Sequence, residues 1–92
     1  MIVTTSRYAS RETREFARQF AEKNKGRYVS RCKKTVHDLI DFLWRKGESR
    51  LLIVEEREKK PSFINEIEID HWKRWKWGKR YGIEKYEDKG KI

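Results

Sequence analysis

The sequence contains one cysteine, Cys32, one proline, Pro61, and no long hydrophobic run. A lone cysteine excludes a disulfide within the chain and any zinc site that needs several thiolates. No apolar stretch approaches the roughly 18 residues of a membrane-spanning helix. The first ten residues are too polar for a signal peptide. We therefore expect a soluble, cytoplasmic protein.

The small size of the chain limits the functions it can carry. Its 92 residues allow one domain with a thin core, because a chain this short buries only about 60% of the surface that it exposes when unfolded. A large catalytic cleft with a cofactor is not expected, and we predict no cofactor. Twelve aromatic residues and clear apolar periodicity indicate a folded chain, although 42% of the residues are charged.

A strong positive charge indicates the class of partner. The net charge is +9 at pH 7, which favours polyanions: RNA, DNA, an acidic protein or an anionic membrane surface. Charge by itself does not choose among these partners.

Two helices are predicted from their caps and apolar faces. The first runs over residues 11–25, with Ser10 as its N-cap and Gly26 as its stop. The second begins after Thr35, which forms a Thr-x-x-Asp capping box with Asp38. Its apolar face has helical spacing. The residues of that face are Val36, Leu39, Ile40, Leu43 and Trp44.

Four short strands complete the predicted order β-α-β-α-β-β. They cover residues 2–5, 27–30, 50–56 and 63–69. A turn at residues 59–61 separates the last two strands, which we expect to pair as a hairpin. Helices that alternate with strands and end in a hairpin predict a single small α/β domain, a mixed sheet with two helices.

The composition changes after residue 70. Residues 71–92 hold eight Lys or Arg against three acids, together with several aromatic residues. We therefore predict a domain over residues 1–70 and a basic, Trp-rich C-terminal extension over residues 71–92. Trp72 is expected to close over the core, with Trp75 and Trp77 more exposed.

Four segments, in the same order along the chain, match one family pattern. They are Ile2–Ser10, Arg27–Arg31, Thr35–Ile40 and Leu51–Glu58. The first carries Thr-Ser-Arg between a strand and a Ser-capped helix. These segments resemble the N-terminal half of the Brix domain of ribosome biogenesis proteins, most closely the archaeal single-domain members. The family usually has glycine at the position of Cys32, and a full Brix domain continues into a second half that this chain does not match.

The resemblance implies an α/β fold related to anticodon-binding domains and a role in pre-rRNA processing through RNA binding. Phosphate contacts are expected at two strand-to-helix junctions, where backbone N–H groups, hydroxyls and cations act together. The alternatives are helix capping at the first junction and a solvated basic loop at the second. The residues concerned are Thr5, Ser6, Arg7, Ser10, Arg31, Lys33 and Lys34.

The C-terminal segment is a third candidate RNA contact. Its tryptophans alternate with cations, and aromatic rings stack on unpaired bases while cations follow the backbone. The alternative is that one or two rings cover the core and the cations are solvated. The residues concerned are Lys73, Arg74, Trp75, Lys76, Trp77, Lys79 and Arg80.

Catalysis is not expected. His37 and His71 have no third ligand or nucleophile at a recognisable spacing, and Cys32 has no partner base. We predict no catalytic residues, no metal site and no small-molecule substrate.

The sequence therefore predicts an rRNA-binding or pre-rRNA-binding factor of ribosome assembly, or a small ribosome-associated protein. Ribosomal or assembly proteins are further expected partners. We expect no membrane partner. The alternative is a protein-interaction module, a half-domain that completes a homo-oligomer (such as a homodimer) or a hetero-oligomer. Apolar Phe42 and Ile64 lie off the predicted apolar faces and favour this alternative. DNA binding is a third possibility, with the charge but no helix suited to the major groove.

Overall fold

The computed structural model describes residues 1–83, which form two helices and five strands. Their bounds are β1 Ile2–Thr5, α1 Arg11–Lys23, β2 Arg27–Tyr28, α2 Val36–Arg45, β3 Arg50–Arg57, β4 Lys60–Ile69 and β5 Trp75–Gly82. The six predicted elements are all present, and β5 is added to them. Residues 84–92 of the basic segment lie outside the described residues. No helix within residues 1–83 is long and apolar enough to cross a membrane.

All five strands form one mixed sheet in the order β2-β1-β3-β4-β5. β1 is parallel to β2 and β3, whereas β4 and β5 are added antiparallel. The two helices lie on opposite faces, because their buried side chains join separate apolar clusters. The predicted α/β domain with a mixed sheet and two helices is confirmed.

Both helices begin at the predicted caps. Ser10 has an extended backbone (φ −65°, ψ 164°), and its hydroxyl accepts from the backbone N–H of Thr13. The Thr35–Asp38 capping box has both of its hydrogen bonds, which satisfies two N–H groups that a helix start leaves without partners. α2 ends where Gly47 adopts φ 69°, a conformation that favours glycine.

The sheet has a core on each face. On the α2 side, Ile2, Leu51 and Ile53 pack with that helix. We call this the α2-side core, and the cluster around α1 the α1-side core. Because both faces are covered, β3 is a continuous apolar run instead of an alternating one. Ile64 is fully buried in the α1-side core and Phe42 packs against the α2-side core, so neither is a spare apolar residue as the sequence suggested.

The sequence pattern predicts no strand at the position of β5. This strand pairs with β4 through a register that places Trp75 opposite Ile69, and Trp75 packs against the α2-side core. Trp72 lies in the preceding turn and is 66% exposed. The prediction that Trp72 covers the core and Trp75 is exposed is therefore wrong. Pairing with Ile69 places the Trp75 side chain on the α2 side of the sheet, against the core. The boundary after residue 70 stays a prediction, although β5 continues the sheet beyond it.

Cys32 adopts a backbone conformation that favours glycine, with φ 48°. A side chain costs about 1–2 kcal/mol in this left-handed region. We expect Cys32→Gly to be more stable to unfolding than Cys32→Ala by about 1 kcal/mol. Both variants lose the 3.3 Å contact between the Ser30 hydroxyl and the Cys32 sulfur, and only the glycine relieves the strain. Denaturant unfolding of the two variants measures the difference, and equal midpoints would contradict it.

Candidate nucleic-acid interface

The two predicted strand-to-helix junctions meet at one edge of the sheet. Strands β1, β2 and β3 are parallel, so their carboxyl ends share that edge. The loops 6–10 and 29–35 leave from it, and we call these two loops the junction. The Arg7 guanidinium Nη2 donates to the Lys33 carbonyl at 3.3 Å and joins the loops. The side chains of Arg7 and Lys33 are exposed.

Arg31 has a different position from the other cations of the junction. It is only 8% exposed. Its Nε donates to the Lys34 carbonyl at 2.7 Å, and its Nη1 donates to the Thr5 carbonyl at 3.0 Å. Burial lowers the pKa of Arg31, as does repulsion from Arg7, while attraction from Glu55 acts in the opposite direction. Arg31 therefore ties the loop before α2 to the end of β1.

The N-terminus of α1 is already occupied by a carboxylate from the same chain. Glu56 Oε2 accepts from the Ser10 backbone N–H at 3.0 Å, from the Ser10 hydroxyl at 2.8 Å and from the Thr13 hydroxyl at 2.6 Å. These hydrogen bonds lower the pKa of Glu56, with that from Thr13 the largest cause. The donors that we expected Ser10 to offer a phosphate are thus used by Glu56. Glu56 lies near the C-terminal end of β3, and its side chain extends from there to the N-terminus of α1.

Thr5, at the end of β1, and Lys34 of the junction are also held by internal contacts. The Thr5 side chain is buried, and its hydroxyl donates to the Ser6 carbonyl at 3.0 Å. The Lys34 ammonium donates to the Ser30 carbonyl at 3.0 Å. Within residues 1–83, Arg7 and Lys33 are exposed cations of the junction without an ion pair. They are the junction residues best placed to meet a phosphate.

The turn before β5 holds its cations in ion pairs. Asp70 Oδ1 accepts from the backbone N–H groups of Trp72 and Arg74, each at 2.9 Å, and Asp70 Oδ2 pairs with Arg74 Nε at 3.0 Å. Lys73 Nζ lies 2.6 Å from an oxygen of Asp41 on α2. Desolvation raises the pKa of Asp70, but the backbone and side-chain hydrogen bonds from Arg74 and Trp72 together bring the pKa below its ordinary value. Lys73 and Arg74 thus each have a carboxylate partner.

Strand β5 places its aromatic and basic side chains on two faces. Trp75 and Trp77 lie on the α2 side, opposite Ile69 and Ile67, with their rings edge to face at 6.0 Å. Trp77 is 53% exposed. Lys76 lies on the other face, 4.0 Å from a carboxylate oxygen of Glu68.

Arg80 and Lys79 carry the positive charge at the end of β5. The Arg80 guanidinium lies 3.7 Å from the centroid of the Phe63 ring, which is a close cation–π contact. Both cations are exposed, and neither forms an ion pair within residues 1–83. The sequence pattern did not indicate Phe63 as a partner of this segment.

The strand register relates the two groups of cations. Thr4, Ile53, Asn65 and Arg80 are successive cross-strand partners, so Arg80 lies in one row with the end of β1. Three inter-strand steps separate Thr4 from Arg80, about 14 Å at the usual strand spacing. Arg80 therefore lies on the same side of the molecule as the junction. Lys73 and Arg74 precede Trp75 and lie at the opposite end of the strands.

The histidines and the cysteine form no recognisable catalytic or metal-binding group in the described part of the chain. His37 lies edge to face with Trp75 at 6.1 Å, whereas His71 lies 3.6 Å from Trp72 in the turn before β5. Within residues 1–83, no three His, Cys, Asp or Glu side chains are arranged to hold a metal ion.

Comparison with known proteins places this fold. No family model and no curated protein matches the sequence. Among solved structures, Mil, an archaeal Imp4-like protein, matches 82% of this chain and 46% of its own, with 27% identity and a TM-score of 0.65. A probable ribosomal biogenesis protein from Aeropyrum pernix K1 matches 88% of this chain and 46% of its own, with 21% identity and a TM-score of 0.78. The chain spans about half the length of each.

These likenesses define the class of the protein. It is a small α/β domain with the fold of about half of an archaeal Imp4-like protein. The predicted resemblance to the Brix-domain family is thereby confirmed, over the length of a half-domain.

Proposed function

We propose that this protein binds ribosomal RNA or its precursor and acts in ribosome assembly by binding, without catalysis. Two lines support the proposal. The chain has a net charge of +9, and the neighbour from Aeropyrum pernix is described as a probable ribosomal biogenesis protein. Ribosomal or assembly proteins are the expected further partners, in the cytoplasm.

The observation that carries the proposal is the pairing state of the cations. Lys73 and Arg74 have carboxylate partners, whereas Arg7 and Lys33 are exposed at the junction without an ion pair within residues 1–83. A cation without a carboxylate partner gains more from a phosphate, because no existing ion pair has to be broken first. Binding of RNA phosphates is therefore expected to centre on the junction edge.

A charge-removal experiment tests this placement. We expect the double variant Arg7→Ala/Lys33→Ala to bind an rRNA fragment about tenfold more weakly near physiological salt. The slope of log affinity against log salt should fall by about 1.4–1.8, since each lost phosphate contact contributes about 0.7–0.9. Fluorescence anisotropy titrations at several salt concentrations measure both quantities.

The matched control removes the same number of charges from the opposite edge. Lys73→Ala/Arg74→Ala also lowers the net charge by two, but it removes cations that are already paired with Asp41 and Asp70. Its salt slope should stay close to that of the unmodified protein. If both double variants lose affinity and slope equally, binding depends on net charge alone and the junction is not the site.

A protein-interaction module remains the second candidate. It is supported by the position of β5 at one end of the sheet order, because a terminal strand of a sheet is where a strand of another chain can pair. The titrations separate the two functions, since phosphate binding weakens steeply with salt and an apolar protein interface does not.

A further inference from the structure

One part of the sheet is covered by neither helix core. Five half-buried or exposed side chains of β3, β4 and β5 lie on the α2 side of the sheet. The register pairs them with one another or with residues of the α2-side core, such as Ile53 and Ile67. None of the five belongs to the buried clusters. We call this set the open face. Its residues are Glu55, Phe63, Asn65, Trp77 and Arg80.

The open face offers two flat surfaces. Trp77 is 53% exposed, with the edge-to-face contact to Trp75 holding its ring. The Arg80 guanidinium, 3.7 Å from the centroid of the Phe63 ring, presents a second plane. Unpaired bases stack on aromatic rings and on guanidinium planes of this kind. A solvent-exposed ring whose position is fixed by neighbours loses little conformational freedom when a base stacks on it.

Next to the Arg80 plane lies a polar pair, Glu55 and Asn65, in which the carboxylate is the stronger acceptor. The Asn65 side-chain N–H donates to Glu55 Oε2, which orients the amide and holds the carboxylate. This bond leaves Glu55 Oε1 and the second lone pair of Oε2 as acceptors, while Asn65 keeps its carbonyl oxygen and one further N–H donor. Glu55 is the cross-strand partner of Phe63, and Asn65 is that of Arg80. The acceptors therefore lie beside the stacked guanidinium.

A carboxylate, which only accepts hydrogen bonds, discriminates among the bases. The Watson–Crick edge of guanine presents two neighbouring donors, N1–H and the 2-amino group. Adenine and cytosine present one donor beside an acceptor, and uracil presents its N–H between two acceptors. An acceptor placed against a carboxylate is repelled and loses its hydrogen bond with water, so a site that hydrogen-bonds two donors rejects bases that lack them.

From this geometry we propose that the open face binds an unpaired guanine of single-stranded RNA. The base stacks on the Arg80 guanidinium, its N1–H and 2-amino group donate to the Glu55 carboxylate that Asn65 orients, and Trp77 stacks on the neighbouring base. The inference rests on the proposed RNA-binding function and adds a base preference to it. The junction is close by, since Glu55 directly follows Val54, the cross-strand partner of Thr5 at the end of β1. One RNA strand can therefore bind both regions.

The test compares short labelled oligouridine strands that carry one central guanine, inosine, adenine or cytosine, by fluorescence anisotropy. We expect the guanine strand to bind about tenfold more tightly than the adenine or cytosine strand, a difference of roughly 1.4 kcal/mol. Inosine keeps N1–H and lacks the 2-amino group, so its affinity should lie between them. Trp77→Ala should weaken binding of the guanine strand about tenfold.

Two acidic residues provide a matched pair of variants. Glu55→Gln adds a donor on the open face and should abolish the guanine preference. Glu58→Gln makes the same change of charge in the exposed hairpin turn and should retain the preference. Trp72→Ala, at an exposed tryptophan outside the sheet, is the control for Trp77→Ala. Asn65→Ala should also abolish the guanine preference. Circular dichroism confirms that each variant is folded.

The outcomes separate this inference from the function on which it rests. A guanine preference that is lost in Glu55→Gln and kept in Glu58→Gln supports the site. Binding of all four strands with equal affinity overturns the guanine site and leaves RNA binding standing. Absence of binding to every strand and to the rRNA fragment overturns both.

Discussion

Replacing Arg31 with methionine is expected to lower the free energy of unfolding by about 3 kcal/mol. The guanidinium donates to the carbonyls of Thr5 and Lys34 from a largely buried position. Methionine keeps the apolar stem but leaves both carbonyls without this donor. Each hydrogen bond from a charged group contributes about 1.5–3 kcal/mol, and a buried acceptor left alone adds a desolvation cost. Urea unfolding followed by circular dichroism measures the change.

Arg7→Met is the control for this experiment. Arg7 is exposed and makes one long hydrogen bond, 3.3 Å, to the Lys33 carbonyl. Its replacement should change stability by less than about 0.5 kcal/mol, as is usual for surface substitutions. RNA binding should show the reverse order, with Arg7→Met the weaker binder once folding of both variants is established. Equal stability losses would show that Arg31 does not tie the junction.

The contact between Glu56 and α1 is expected to make stability fall in acid. Hydrogen bonds from Ser10 and Thr13 hold the folded-state pKa of Glu56 below its usual value of 4.5. A carboxylate with a lowered folded pKa contributes stability above the unfolded pKa and loses that contribution as the pH falls through the folded pKa. The stabilisation is therefore present at neutral pH and disappears progressively below about pH 4.5.

Glu56→Gln isolates this contribution. We expect the variant to be less stable by about 1–2 kcal/mol at pH 7, because hydrogen bonds to a charged acceptor become bonds to a neutral one. The difference should shrink as the pH is lowered, since the native carboxylate is then protonated as well. Glu58→Gln changes the same charge in the exposed hairpin turn and should show no such convergence. Parallel unfolding curves for all three proteins between pH 7 and pH 3 provide the measurement.

The helices and their starts could be predicted from the sequence because their determinants are local. Ser10 and Thr35 hydrogen-bond to residues three positions further along, and an apolar spacing of three and four is visible in any helical segment. The Thr-Ser-Arg run after β1 likewise indicated the family through adjacent residues. Fold class and element order followed from such short-range signals.

Strand β5 was missed because its pattern is interrupted and depends on a partner. The alternation of Trp75 and Trp77 with Lys76 is a strand signal, but the bulge opposite Asn65–Ile67 and Gly78 break it. Strand pairing with β4 supplies the hydrogen bonds that make this segment a strand. An aromatic and basic alternation directly after a turn is the signal that could have revealed it.

The state of the predicted binding residues also depended on distant partners. Ser10 could be identified as a cap, but the carboxylate that occupies its donors comes from Glu56, 46 positions later. Arg31 has the same sequence character as Lys33, yet it donates to a carbonyl 26 positions earlier and is buried. Neither relation has a local signature.

Residue types and short-range spacing were enough to predict six of the seven elements, their order, the half-domain resemblance and the positive charge. Each of these depends on residue type or on spacing within a few positions. Tertiary structure decided which cations and donors remain available, because ion pairs and hydrogen bonds form between residues that only the sheet brings together. It also created the open face, since Glu55, Asn65 and Arg80 come from three strands and meet only through their register.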